Sequence, residues 1–134
     1  DIPRLWEAAG RANRDAAALA PYVSIGCPIG SPEVQGWVWV RSLMCGPDAA
    51  VVVAVNTNHH VAYETKSELS INIPTKNATI RASLPPSFKD GMIREVVDGK
   101  LVPAVGKIER GRVSITLDEL VAARAFVVIR KAAK

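Results

Sequence analysis

The chain has 134 residues, 49% hydrophobic, 22% charged and only 5% aromatic, a composition that fits one folded domain with a single core and excludes a disordered chain. Its longest apolar runs, 49–55 and 125–129, fall far short of the roughly 20 residues a helical membrane span requires. The net charge of +4 comes from Arg and Lys spread along the chain with few aromatics beside them, a solvated surface and not a nucleic-acid-binding stripe.

The helical pattern starts at the first residue. Leu5, Ala8, Ala9, Ala12, Ala16 and Leu19 recur at steps of three and four, while Arg4, Glu7, Arg11, Arg14 and Asp15 fall largely on the other side. Glu7 with Arg11, and Arg11 with Asp15, are spaced to pair, and Pro21 is expected to stop the helix. A stripe made mostly of alanine fits closely against a flat partner, with Trp6 as its one large contact. Such a helix buries too little to be stable alone. A helical start without an initiator Met predicts the tail of a larger protein.

The Gly- and Pro-rich stretch 22–32 reads as a linker or ordered loop. Beyond it, strand-like runs are expected at 34–44, 50–56, 68–73, 78–84, 92–97, 105–109, 112–117 and 125–130. Turn signals separate most of them, including Gly46-Pro47-Asp48, Pro74-Thr75-Lys76-Asn77, Asp98-Gly99 and Arg110-Gly111. Asp118-Glu119-Leu120 reads as a short turn before the last strand. That strand is expected to be central, with Phe126 and Val128 on one side and Val127 and Ile129 on the other. No second amphipathic helix interrupts the strands, which argues against a parallel sheet. The expected fold is therefore all-β, an antiparallel two-sheet β-sandwich with one N-terminal α-helix packed on it. Residues 1–32 form the helix and connecting loop, and 33–134 the sandwich.

Residues with chemistry are few. Cys27 and Cys45 flank the first long strand, either bridged if the turn over 28–32 folds the chain back, or free as two thiols. Zinc is disfavoured, because the histidines, His59 and His60, are consecutive and point to opposite faces of a strand. Asp48 and Asp90 lack the spacing of a calcium loop, and no cofactor motif is present. Hydrolysis of a glycoside needs two carboxylates across a cleft, whereas the acids here sit in helix charge pairs, turns and strand ends. The binding candidates are aromatic. Trp37 and Trp39, two residues apart on an expected strand, would project from one face about 7 Å apart and can stack on successive sugar rings. Arg41 shares that face, and Tyr63 is the next candidate. The same tryptophans equally suit a face covered by the alanine-rich helix. With no basic cluster along the sequence, the expected ligand is a neutral polysaccharide whose binding changes little with salt.

The run Leu5-Trp6-Glu7-Ala8-Ala9-Gly10-Arg11-Ala12-Asn13-Arg14, then Leu19-Ala20-Pro21 and Trp39-Val40-Arg41-Ser42-Leu43, resembles the closing helix of a glycoside hydrolase barrel and the first strand of the β-sandwich after it. Val51-Val52-Val53-Ala54-Val55-Asn56, Leu84-Pro85, Val96-Val97-Asp98-Gly99 and Ala125-Phe126-Val127-Val128-Ile129 are similar to the C-terminal sandwiches of such enzymes. The resemblance covers nearly the whole chain and rests on structural positions. It implies an accessory, non-catalytic domain, because the family's paired carboxylates belong to the barrel. The expected function is carbohydrate binding by Trp37, Trp39, Tyr63 and Arg41, or else a structural cap on the barrel without a sugar ligand. Expected partners are an oligosaccharide or polysaccharide and the catalytic barrel of the parent chain, with no nucleic acid and no membrane. The compartment is open, leaning to secreted or periplasmic.

Overall fold

The computed structural model describes residues 2–64 and 67–131, and for 60–64 and 67–71 the backbone alone. Helix α1 (Ile2–Val23) is followed by β1 (Gly26–Pro28), β2 (Glu33–Gln35), β3 (Val38–Cys45), β4 (Ala49–Asn56), β5 (His59–Glu64) and β6 (Ser67–Asn72). Then come β7 (Thr75–Ser83), β8 (Gly91–Val97), β9 (Lys100–Pro103), β10 (Gly106–Glu109), β11 (Arg112–Leu120) and β12 (Ala123–Arg130). The larger sheet runs β1-β3-β4-β12-β8-β9, with β2 also pairing β3; β10-β11-β7 form the second sheet, and β5-β6 a separate ribbon. Every pairing is antiparallel. The result is the expected β-sandwich with one helix packed on it.

Strands β4 and β12 are apolar along almost their whole length, so both of their faces must be covered. Ala50, Val52, Ala54, Phe126 and Val128 point between the sheets, against Ile80, Val113, Ile115, Leu117 and Leu120 of the smaller sheet. Val51, Val53, Ala125, Val127 and Ile129 point outward and join Ala18, Leu19 and Tyr22 of α1. The expected alternation along β12 is thus observed. Each fully buried Val or Phe contributes roughly 1.5–3 kcal/mol, so this double burial fixes the order of layers.

The helix is held at its C-terminal half. The β8–β9 hairpin turns on Asp98 and Gly99, at φ 50° and 78°, positive values at both central positions as a type I′ turn requires. The Gly99 amide donates to Asp15 Oδ1 at 2.7 Å, and Arg14 Nε donates to Asp98 Oδ1 at 2.6 Å. A Cβ on Gly99 would lie 2.9 Å from that of Arg14, so glycine sets how closely the helix approaches. Trp6 precedes Asp15 by nine residues, about two and a half turns at about 3.6 residues per turn, and therefore faces away from the sheet. It is 73% exposed, beside exposed Leu5 and Ile2. The expectation that Trp6 anchors the helix is corrected: Leu19 and Tyr22 do.

Other expectations change for local reasons. Pro21 does not stop α1, which continues to Val23, because in the last turn proline removes one hydrogen bond only while Tyr22 gains a docking contact. Residues 118–120 extend β11, with Glu119 opposite Lys76 and Leu120 opposite Thr75, since Leu120 is fully buried. The stretch 34–44 is interrupted by a turn at Gly36 and Trp37, and β1 arises within the expected loop by pairing with residues 43–45 of β3. That pairing settles the cysteines. Cys27 lies opposite Met44 while Gly26 lies opposite Cys45, so the two thiols project from opposite faces and remain free, Cys27 exposed and Cys45 buried. Burial pushes the Cys45 thiol above its ordinary value, against a weaker opposing hydrogen bond from the backbone at Val51.

Asn56, at the end of β4, joins both sheets. Its Nδ2 donates to the carbonyls of Ile73 at 2.8 Å and Val121 at 3.0 Å, and its Oδ1 accepts from the Asn58 amide at 3.1 Å and Thr75 Oγ1 at 2.8 Å. Among the described residues no buried side-chain nitrogen or oxygen lacks a partner. Replacing Asn56 by Ala leaves several of these groups unsatisfied and is expected to cost about 3 kcal/mol, measured by urea unfolding. Trp6→Ala is expected to change stability by less than about 0.5 kcal/mol, as for an exposed surface position; a large loss from Trp6→Ala would contradict the docking geometry.

Candidate functional site

The β2–β3 hairpin closes on two residues, Gly36 and Trp37, between Gln35 and its partner Val38. Gly36 sits at φ 60°, the first-position glycine of a type II′ hairpin turn. This places Trp37 at the hairpin tip, 59% exposed. Its carbonyl accepts from both the amide and the hydroxyl of Thr57 at 2.8 Å, so its backbone is fixed.

The hairpin is tied to the edge of the second sheet through side chains. Gln35 Nε2 donates to the Arg81 carbonyl at 2.6 Å, and the Arg81 amide donates to Gln35 Oε1 at 2.8 Å. One side-chain amide thus satisfies both main-chain groups of Arg81 on β7, a strand that has a sheet partner on one side only, and it blunts that edge. Glu33 accepts from Arg112 Nη2 at 2.7 Å and from Gln35 Nε2 at 3.0 Å. With both partners of the Glu33–Arg112 pair more than a third exposed, the ion pair adds little to stability. Its effect is to hold a carboxylate and a guanidinium in place at the surface.

Between hairpin and β7 lies a groove of about 550 Å³. Trp37, Glu33 and Gln35 line one side, Thr75, Thr79 and Arg81 the other, with Arg112 also contributing. One exposed indole is therefore grouped with an amide, two hydroxyls, a carboxylate, two guanidiniums and the Lys76 ammonium. The arrangement offers an apolar face beside several hydrogen-bond donors and acceptors. It contains one carboxylate, already engaged.

The expected tryptophan pair is separated. Trp37 is in the turn and lines the groove, whereas Trp39 and Arg41 do not. Trp39 alternates with buried Val38 and Val40 and takes the helix-side face of the large sheet, half-buried between its cross-strand neighbours Val34 and Val55. Arg41, also half-buried, lies on that same face opposite Val53. Tyr63 is placed in β5 opposite Glu68, and its side chain, like that of His60, lies outside the described residues. Asp48 pairs with Arg130 at 3.6 Å. Asp90 accepts from Lys131 and from the Gly91 amide, which in that order hold its carboxyl below the usual range. No group of three or more His, Cys, Asp or Glu among the described residues is arranged to hold a metal. Residue type alone did not reveal Glu33, Gln35, Arg81 and Arg112. The available signal was Gly36 before Trp37, which turns the chain and brings the preceding polar strand against β7.

No protein-family model and no curated protein matches the chain. Among solved structures it is similar to alpha-L-fucosidase isoenzyme 2 from Paenibacillus thiaminolyticus, with a TM-score of 0.54 and 12% sequence identity over 76% of this chain. The match spans 15% of that protein's length. At this identity the likeness establishes a shared fold.

The Gln35 latch gives the site a direct check. Gln35→Ala is expected to free the Arg81 amide, raising its hydrogen-exchange rate by about tenfold or more for loss of a bond worth about 1.5 kcal/mol, with exchange at Val52 and Phe126 unchanged. An unaltered Arg81 rate would show that the hairpin is held otherwise.

Proposed function

We propose that this domain is a non-catalytic, carbohydrate-binding accessory module of a glycoside hydrolase, and that it holds sugar in the groove at Trp37. The observation that carries the reading is the exposed Trp37 at a fixed hairpin tip, beside hydrogen-bonding side chains that are themselves tied down. A sugar ring presents an apolar face ringed by hydroxyls, and it is matched by a flat aromatic flanked by planar polar groups. The fold shared with a portion of an alpha-L-fucosidase supports association with a carbohydrate-active enzyme. The single, paired carboxylate in the groove supports binding over hydrolysis, which takes two.

A second reading has its own observation. Ile2, Leu5 and Trp6 are each about 70% exposed on the half of α1 that projects from the docked segment, an apolar cluster suited to contact with another domain of a longer protein. In that reading the sandwich caps a catalytic barrel and binds no sugar.

Trp37→Ala separates the two. In isothermal titration against a panel of oligosaccharides, Trp37→Ala is expected to weaken binding at least tenfold without altering the melting temperature by more than about 2 °C, as for a surface substitution, while Trp39→Ala retains binding. A wild-type domain that ignores every glycan, with a soluble barrel partner captured through Trp6, would favour the cap.

A further inference from the structure

Arginines that are scattered in the sequence converge in the fold. Arg81 on β7 and Ser114 on β11 are direct cross-strand partners, and Ser114 is in turn opposite Lys107 on β10. One row across the outer face of the small sheet thus reads cation, hydroxyl, cation. Arg112 stands two residues from Ser114, and Arg110 occupies the β10–β11 turn at φ 51°, followed by Gly111 at 73°. Together these residues surround a depression of about 430 Å³ lined by Arg81, Arg110, Arg112, Ser114 and Glu109. Three arginines face one glutamate there, and that glutamate is engaged with Lys107 at 2.8 Å. Among the described residues the guanidiniums of Arg81 and Arg110 make no ion pair.

This depression continues the Trp37 groove, since Arg81 and Arg112 line both. Gln35, whose amide grips Arg81, is two residues from Trp37 across the tight turn at Gly36. A sugar stacked at Trp37 therefore has its neighbour within reach of the arginines. We propose that the ligand is an acidic glycan, with a carboxylate or sulfate on the residue adjacent to the stacked sugar held by Arg81, Arg110 and Arg112, the Ser114 hydroxyl supplying a further donor. Planar guanidiniums bind such oxyanions through paired hydrogen bonds. The inference rests on the Trp37 groove being a sugar site, and it replaces the expectation of a neutral ligand drawn from the spacing of charges along the chain. A nucleic acid is the less suitable polyanion, because strand binding relies on successive aromatic platforms and the groove has one.

The test is titration of the whole domain with polygalacturonate, alginate and chondroitin sulfate, each beside its methyl-esterified or carboxyl-reduced and desulfated form. At least one acidic glycan is expected to bind tenfold or more tightly than its neutral counterpart, and to weaken as salt rises from about 0.05 to about 0.5 M. Whether removing carboxyl or sulfate abolishes the difference identifies the anionic group. The double variant Arg81→Gln with Arg110→Asn, folded by circular dichroism, is expected to bind acidic and neutral forms alike. Equal affinity for charged and neutral forms, with Trp37 still required, would overturn this inference and leave the sugar site standing. Failure of every glycan, charged or neutral, would overturn both. Equally tight binding of a single-stranded oligonucleotide, unaffected by Trp37→Ala, would reassign the cluster to general polyanion binding.

Discussion

Everything in this domain follows from two strands that are apolar on both faces. Strands β4 and β12 sit at the centre of the large sheet, with Val52 and Phe126 turned inward, Val51 and Val127 turned outward, and all four fully buried. An open sheet with water on one side cannot satisfy such a sequence. One face takes the small sheet, the other takes α1, and neither remains free for a ligand across its centre. The proposed ligand site therefore lies at the margins, at the hairpin that overhangs the edge of β7 and on the polar outer face of the small sheet.

The margins are built by polar side chains acting as structural members. Asn56 fastens the end of β4 to the start of β7 and to the turn before β12, while Gln35 fastens the hairpin to β7. The Asp98–Gly99 turn sets the helix. Each joins elements far apart in sequence through hydrogen bonds of 2.6–3.0 Å. A latch made of one amide holds Trp37 beside Arg81 more rigidly than a free loop would. A pre-organised site loses less entropy on binding, which suits recognition of a polar ligand such as a sugar.

The layers were legible in the sequence because burial is written in its periodicity. The unbroken apolar run of β4 and the alternation of Phe126, Val127, Val128 and Ile129 announce central strands, and the alanine-rich helix announces a flat partner. The rotation of that helix was not legible: an alanine stripe has low contrast, and the contacts that decide, Asp15 with Gly99 and Arg14 with Asp98, connect residues 84 apart. The site shows the same division. Trp37 was visible as an aromatic in a polar setting, but pairing it with Trp39 assumed an unbroken strand across Gly36. The arginine cluster was invisible, since Arg81 and Arg112 meet only through the β7–β11 register. Charge distribution along a chain says little about charge distribution on a surface once non-local strands pair.

The central claim is that ligand recognition belongs to the hairpin groove and its arginine-lined extension, not to the faces of the large sheet. Chemical-shift mapping of the isotopically labelled domain with an acidic oligosaccharide tests it most directly. The account predicts the largest shifts at the Trp37 indole N–H, the Gln35 side-chain amide, and the backbone amides of Arg81, Arg112 and Ser114, with the signals of Trp39, Leu19 and Trp6 unmoved. Shifts centred on Trp39 and Arg41, or on the exposed end of α1, would contradict it.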